Sequence, residues 1–330
     1  VSATTHLDTR RWSLFVQVRT GPPAADIYRR AIAVAVEAER LGFATIWFAT
    51  RHFAAHHAAL PTVFPLLAAV AQHTERIRLG SGVVALPFEN PVRLVEDAAV
   101  TDEIACGRLE LGIGKGLGFG LSATVYAGFG LDRADRETLY TERLATVHSL
   151  LEHGRVAPDV PLYPDPASLR ARVWQSTGNV ETARRAARVG DGLLPHANSE
   201  ANGPGGVERL IDAYLDARGP DSTPRIGATV ALLPGTTDAD ARAIFDEDVR
   251  RSPAYYAGKL GDADRYRREL SIRCAGTDRL VAELSDALWA ARATEWLFHV
   301  PLALEHGRYM DCLQRIARDI VPGLTSTTCT

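Results

Sequence analysis

The strongest constraint on this chain is an alternation. Short runs rich in β-forming residues are followed, eight times over, by stretches with helical spacing. The runs are Trp12–Val18, Thr45–Phe48, Ile77–Leu86, Leu109–Ile113, Arg172–Ser176, Asp191–Leu194, Arg225–Leu233 and Trp296–Val300. After the first run, Ile27, Ala31, Val34, Ala35, Ala38 and Leu41 mark one helical face, and Gly42 is placed to end that helix. Further helices are expected over Pro61–His73, Pro91–Ile104 (stopped by Gly107), Arg136–His153, Val180–Val189, Val207–Ala217, Asp238–Arg250, Tyr255–Leu270, Thr277–Ala291 and Tyr309–Ile320. Strict alternation implies parallel strands joined by right-handed helical crossovers. Eight units in 330 residues suit a closed (β/α)8 barrel of the TIM type; an open, doubly wound sheet is the alternative. No low-complexity linker divides the chain, so residues 1–330 are read as one domain.

Composition removes several classes of function. The net charge is −3, so no global basic field draws nucleic acid. Apolar stretches such as Val63–Ala71 are far shorter than the ~20 residues a membrane helix needs. The polar start of the chain lacks the apolar core of a signal peptide. With four cysteines spread apart and no CxxC, a disulfide framework or zinc ribbon is not expected. A cytoplasmic protein without nucleic-acid or membrane partners is the expectation. The sequence also lacks GxGxxG, a P-loop, a GxSxG elbow and HExxH. His52, His56 and His57 have metal-like spacing but no acidic or cysteine partner nearby, so no metal site is assigned.

In a barrel, the site is built from loops at the C-terminal ends of the strands. Four such places stand out. The second run leads into Thr50-Arg51-His52-Phe53. The third carries Ser81-Gly82 where a β-branched residue would pack better, as if a ligand or backbone approaches closely. The fourth ends in Gly112-Ile113-Gly114-Lys115-Gly116, and the fifth in Gly178-Asn179 just before a helix. Lys115 is one of only two lysines among 37 basic residues. Together with the helix start at Asn179 it suits one phosphate, provided the two strands are neighbours. A plain N-cap and a solvated loop charge are the competing readings.

These residues carry a resemblance. Leu41–Phe53, Arg76–Gly116, Tyr126–Asp132 with Arg136, Gly178–Leu194 and Ala275–Leu284 together resemble the bacterial luciferase-like flavin-dependent monooxygenases. The resemblance implies a (β/α)8 barrel with insertions in its C-terminal-face loops, usually a homodimer, binding reduced FMN or in one branch a deazaflavin. It implies that Lys115, with Gly114 and Gly116, lies at the flavin phosphate, and that Gly178, Asn179 and Thr182 hold that phosphate. Ser81 precedes Gly82-Val83, which matches a cis peptide against the isoalloxazine. Tyr126 and Arg136 match positions bordering the flavin. The family commonly reads Glu-His-His where this chain has Thr50-Arg51-His52, and its cysteine near the flavin aligns with Gly114. Flavin binding is therefore better supported than a light-emitting reaction.

The implied activity is a two-component monooxygenase. A separate reductase supplies reduced FMN, O2 gives a C4a-hydroperoxide, and a small organic substrate is oxygenated. His52 and Arg51 are the catalytic candidates, for proton relay and for a fixed positive charge. Trp296 and His299 are candidates for the substrate pocket, and Gly154–Leu169 and Pro253–Leu270 for covering it. A deazaflavin-dependent hydride transfer and a flavin-binding protein without turnover are the alternatives.

Overall fold

The computed structural model describes residues 10–19, 23–54, 58–116, 122–195, 205–220, 222–253, 263–269, 271–287, 289–301 and 305–326. Each of the eight expected runs overlaps a strand: β1 (Arg11–Val16), β2 (Thr45–Phe48), β3 (Arg78–Ser81), β4 (Leu109–Gly114), β5 (Val173–Thr177), β6 (Gly192–Pro195), β7 (Gly227–Gly235) and β8 (Glu295–His299). All pair in parallel, in the order β7-β8-β1-β2-β3-β4-β5-β6. The two ends of that order meet at a parallel bridge between Leu193 and Ile226, where the Leu193 N–H donates to the Arg225 carbonyl. The third run is interrupted: β3 stops at Ser81, a short strand at Val84–Ala85 pairs with Ile113 and Gly114 of β4, and the Gly82–Val83 peptide between them is cis. Among the described residues three further strands fall outside the eight units. A strand at Arg273–Gly276 pairs in parallel with Leu232–Gly235, and Arg155–Ala157 pairs antiparallel with Val160–Pro161.

Helices cover the outside of the sheet. In α1 (Ala24–Arg40) the expected face is the one that packs: Ala31, Val34, Ala35 and Ala38 are buried. Gly42 follows with φ +86°, and the Phe43 N–H reaches back to the Ala38 carbonyl, a left-handed C-terminal turn that glycine adopts without Cβ strain. The other helices used below are α2 (Phe64–Ala71), α3 (Pro91–Ile104), α4 (Ser122–Gly128), α5 (Arg136–His153) and α6 (Val180–Arg188). The main core lies between these helices and the strands.

A second core lies on the concave side of the sheet. Trp47 of β2, Trp174 of β5, Leu194 of β6 and Leu297 of β8 form one buried cluster, edged by Phe15 and Val83. Trp47 and Trp174 meet edge to face at 5.5 Å although three strand-to-strand steps separate β2 from β5. The sheet must curl strongly to bring them together. Glycines make room for the rings: a Cβ on Gly80 or Gly192 would sit 2.3 Å from Trp47 or Trp174. At the N-terminal side the indole N–H groups are satisfied, Trp47 by Glu295 (2.9 Å) and Trp174 by Glu110 (2.7 Å). Arg11 and Arg78 neutralise these two carboxylates, as buried charges require. This end of the sheet is filled, which leaves the C-terminal ends for a ligand.

Cys106, Cys274 and Cys312 are unpaired, and Cys329 lies outside the described residues. Among the described residues no helix is long and apolar enough to cross a membrane.

Candidate active site

Parallel pairing puts the ends of β1 to β8 on one side, where most of the residues singled out from the sequence gather. The neighbour condition is met, since β4 pairs directly with β5 and Gly114 sits beside Ser176. Lys115 follows β4, and Asn179 caps α6, its side-chain oxygen accepting from the Thr182 N–H. The Lys115 ammonium donates to the Thr182 hydroxyl at 2.9 Å and to the Glu137 carboxylate at 2.6 Å. It also lies 5.4 Å from the centre of the Tyr140 ring. Lys115 is only 8% exposed. Burial holds its ammonium below the ordinary value, and Glu137 pulls the other way.

The insertion after β4 closes this corner. The Tyr126 hydroxyl donates to the Lys115 carbonyl, and Arg136 donates to the carbonyls of Lys115 and Gly116 at 3.1 and 2.9 Å. Tyr126 and Arg136 therefore fix the backbone that aims Lys115. Phe88 packs on Tyr126 at 4.7 Å and edge-on against His52 at 5.5 Å. Phe129 stacks on Phe88 and also meets His52 at 4.9 Å. His52 thus belongs to an aromatic wall continuous with the Lys115 corner, and burial lowers its imidazole pKa. Arg51 adjoins it, its guanidinium held below the ordinary range by burial and then by the charge of Arg19.

The cis-linked pair lies between this corner and β8. The Thr50 hydroxyl donates to the Val83 carbonyl at 2.6 Å. A Cβ on Gly82 would meet the Phe15 ring at 3.1 Å, and one on Gly114 would meet Val83 at 2.8 Å. The close approach expected at Ser81-Gly82 is made by protein: the Ser81 hydroxyl and the backbone of Gly112 exchange hydrogen bonds. His299 stands edge-on to Phe15 at 5.3 Å, its Nδ1 3.0 Å from the Phe15 carbonyl.

Two expectations are corrected. Trp296 does not reach this mouth. It alternates with Leu297 and His299, so it faces the helices, where it packs on Trp12 at 5.3 Å and Trp289 at 4.8 Å. Gly154–Leu169 precedes β5, so it belongs to the opposite, N-terminal side. It is followed there by Arg172, which grips Asp102 of α3 and the carbonyls of Gly107 and Leu109. Of Pro253–Leu270, only Pro253 and the helix Ala263–Glu269 are described; residues 254–262 and 270 lie outside, as do His56 and His57. Among the described residues no cluster of His, Cys, Asp or Glu suits a metal ion. Phe88, Glu137 and Tyr140 were not singled out from the sequence. Tyr140 lies four residues after Arg136 on α5, a spacing that could have pointed to it.

Residues 11–310 match the family described as luciferase-like monooxygenase. The chain belongs to that family. This luciferase-like chain is 31% identical over 242 residues to limonene 1,2-monooxygenase of Rhodococcus erythropolis, covering 68% of this chain and 59% of that one. It spans 50%, 61% and 59% of three of the curated relatives it matches. Two solved structures share the fold. The oxygenating constituent of 3,6-diketocamphane monooxygenase from Pseudomonas putida, in complex with FMN, has a TM-score of 0.72 at 16% identity, over 96% of this chain and 98% of that one. An F420-dependent secondary alcohol dehydrogenase has a TM-score of 0.64 at 15% identity, over 96% and 99%.

Proposed function

We propose that this chain is the oxygenating part of a two-component monooxygenase. It takes reduced FMN from a separate reductase and places one atom of O2 on a small organic substrate, at the mouth of a closed (β/α)8 barrel. The curled sheet with its Leu193–Ile226 return supports the closed barrel. The observation that carries the cofactor reading is the meeting of Lys115 with Thr182 at the head of α6, next to the Gly82–Val83 pair. An ammonium, a hydroxyl and a helix N-terminus form a donor set suited to a phosphate. The apolar surface of Val83 and Phe15 suits a flat ring system. The residues present therefore fit a phosphorylated flavin.

Bound reduced flavin supplies the two electrons, so that one oxygen atom enters the substrate and the other leaves as water. The chain's own residues do the rest. Lys115, Thr182 and the Asn179-capped turn hold the phosphate, while Tyr126 and Arg136 fix the loop that carries Lys115. Thr50 fixes the Val83 carbonyl, and so the surface on which the ring lies. Phe88 and Phe129 shield one wall from water, which preserves reactive oxygen species for productive transfer. His52, whose pKa burial lowers so that the neutral imidazole is favoured, accepts and returns a proton. Arg51 offers a fixed positive charge where negative charge develops. His299 borders the substrate on the β8 side.

The test uses the full chain with chemically reduced FMN, a panel of cyclic ketones and terpenes, and 18O2. The expected result is one 18O atom in the product of an accepted substrate. Oxidation of an accepted substrate without 18O would move the assignment to hydride transfer, the reaction expected of a deazaflavin enzyme.

A further inference from the structure

The corner assigned to the phosphate already holds an anion that belongs to the protein. Glu137 places one carboxylate oxygen 2.6 Å from the Lys115 ammonium and the other 3.4 Å from the Arg136 guanidinium. Lys115 is buried and Arg136 half-buried, but the Glu137 side chain is 62% exposed. It also lines an open hollow with Ala123, Asp132, Arg133, Ala134 and Arg136. The pair is thus asymmetric. The cations are fixed by packing and by bonds to Thr182, Tyr140 and the loop carbonyls. The carboxylate reaches them from solvent, so leaving costs it little solvation.

We propose that Glu137 is a displaceable internal anion that competes with the phosphate of the flavin for Lys115. This rests on the reading of the corner as a flavin-phosphate site. The competition has two effects. Before flavin arrives, the carboxylate compensates a buried ammonium that would otherwise be costly to leave unpaired. When flavin arrives, a doubly charged phosphate out-competes a single carboxylate, but only for the difference between the two. The affinity for phosphorylated flavin is therefore kept low, which suits a reductant that arrives from another protein and leaves after each turnover. Any part of the binding that comes from the ring alone is untouched by Glu137.

The experiment is equilibrium binding of oxidised FMN and of riboflavin, by fluorescence anisotropy, to the full wild-type chain, Glu137→Gln and Glu137→Asp. Thermal shift in inorganic phosphate runs alongside. Glu137→Gln is expected to tighten FMN by about five- to tenfold and leave riboflavin unchanged. Its melting temperature is expected to rise more with phosphate than that of the wild type. Glu137→Asp, which keeps the charge, is expected to stay near wild type. Unchanged or weaker FMN and phosphate binding by Glu137→Gln would overturn the competition. Equal tightening of FMN and riboflavin would also overturn it, because the effect would not act through phosphate. Phosphate stabilisation of Glu137→Gln, with no FMN bound by any of the three proteins, would instead overturn the flavin assignment and leave a displaceable carboxylate.

Discussion

At the scale of single residues, the site depends on where volume is withheld and where charge is buried. Gly112 and Gly192 stand where a methyl group has no room: a Cβ would lie 2.1 Å from the Ser81 carbonyl oxygen or 2.3 Å from the Trp174 ring. Gly192→Ala is expected to cost about 3 kcal/mol in a denaturant titration. Gly307→Ala, in the helix His306–Arg315 with open space around it, is expected to gain about 0.5 kcal/mol. Equal effects would mean that the Trp174 packing is looser than described. His52 makes a pH prediction. Burial lowers its pKa from an ordinary 6.5, so the unfolded chain takes up a proton at higher pH than the folded one. The stability it contributes is present above about pH 6.5 and is lost as pH falls toward the lower folded value. An NMR titration of the His52 ring should have its midpoint below 6.5; a midpoint at or above 6.5 contradicts the partial burial of His52. The placing of Lys115 and Asn179 at neighbouring strand ends was legible in the sequence because uncommon residue types sit there. Trp296 was misread because the face of a strand is decided by register, and a shift of one residue exchanges mouth for outer core. Glu137 was hidden because a carboxylate next to an arginine on a helix reads as solvated charge.

Among the elements, direction along the chain decides what a loop can do. A segment after a strand and before a helix lies at the C-terminal mouth, and one after a helix and before a strand lies at the opposite end. Gly154–Leu169 is of the second kind, a fact available from the alternation alone. The clamp beyond it makes this testable. Both Arg172 terminal nitrogens contact Asp102, at 2.6 and 2.7 Å, and Asp102 is buried. Arg172→Met leaves that carboxylate short of its cation and is expected to destabilise the chain by about 3 kcal/mol while FMN affinity stays within twofold. A large loss of FMN affinity in the folded variant would place this clamp nearer the site than the topology does. The strand Arg273–Gly276 was not visible in the sequence. Its four residues, Arg-Cys-Ala-Gly, carry no β-branched or aromatic side chain, and it is defined by pairing with the long C-terminal half of β7. The split of the third run at Gly82–Val83 was equally silent to periodicity and came only from the family resemblance.

For the whole molecule, eight alternating units were enough to point to a parallel sheet with helical crossovers, while its strand order stayed open between a barrel and a doubly wound sheet. The curl of the sheet depends on contacts far apart in sequence, such as Trp47 with Trp174 and Leu193 with Ile226, which no local pattern reports. Membership of the luciferase-like monooxygenases follows from the match over residues 11–310. The choice between oxygen transfer and hydride transfer is made by the cofactor that the mouth accepts. The most direct measurement is an anaerobic titration of the full chain with reduced FMN and, separately, with a reduced deazaflavin, followed by rapid admission of air. Saturable binding of reduced FMN is expected, with an oxygen-dependent transient, spectrally distinct from free oxidised flavin, that decays faster when substrate is present. Tight binding of the deazaflavin alone, with no change on admitting air, would contradict it.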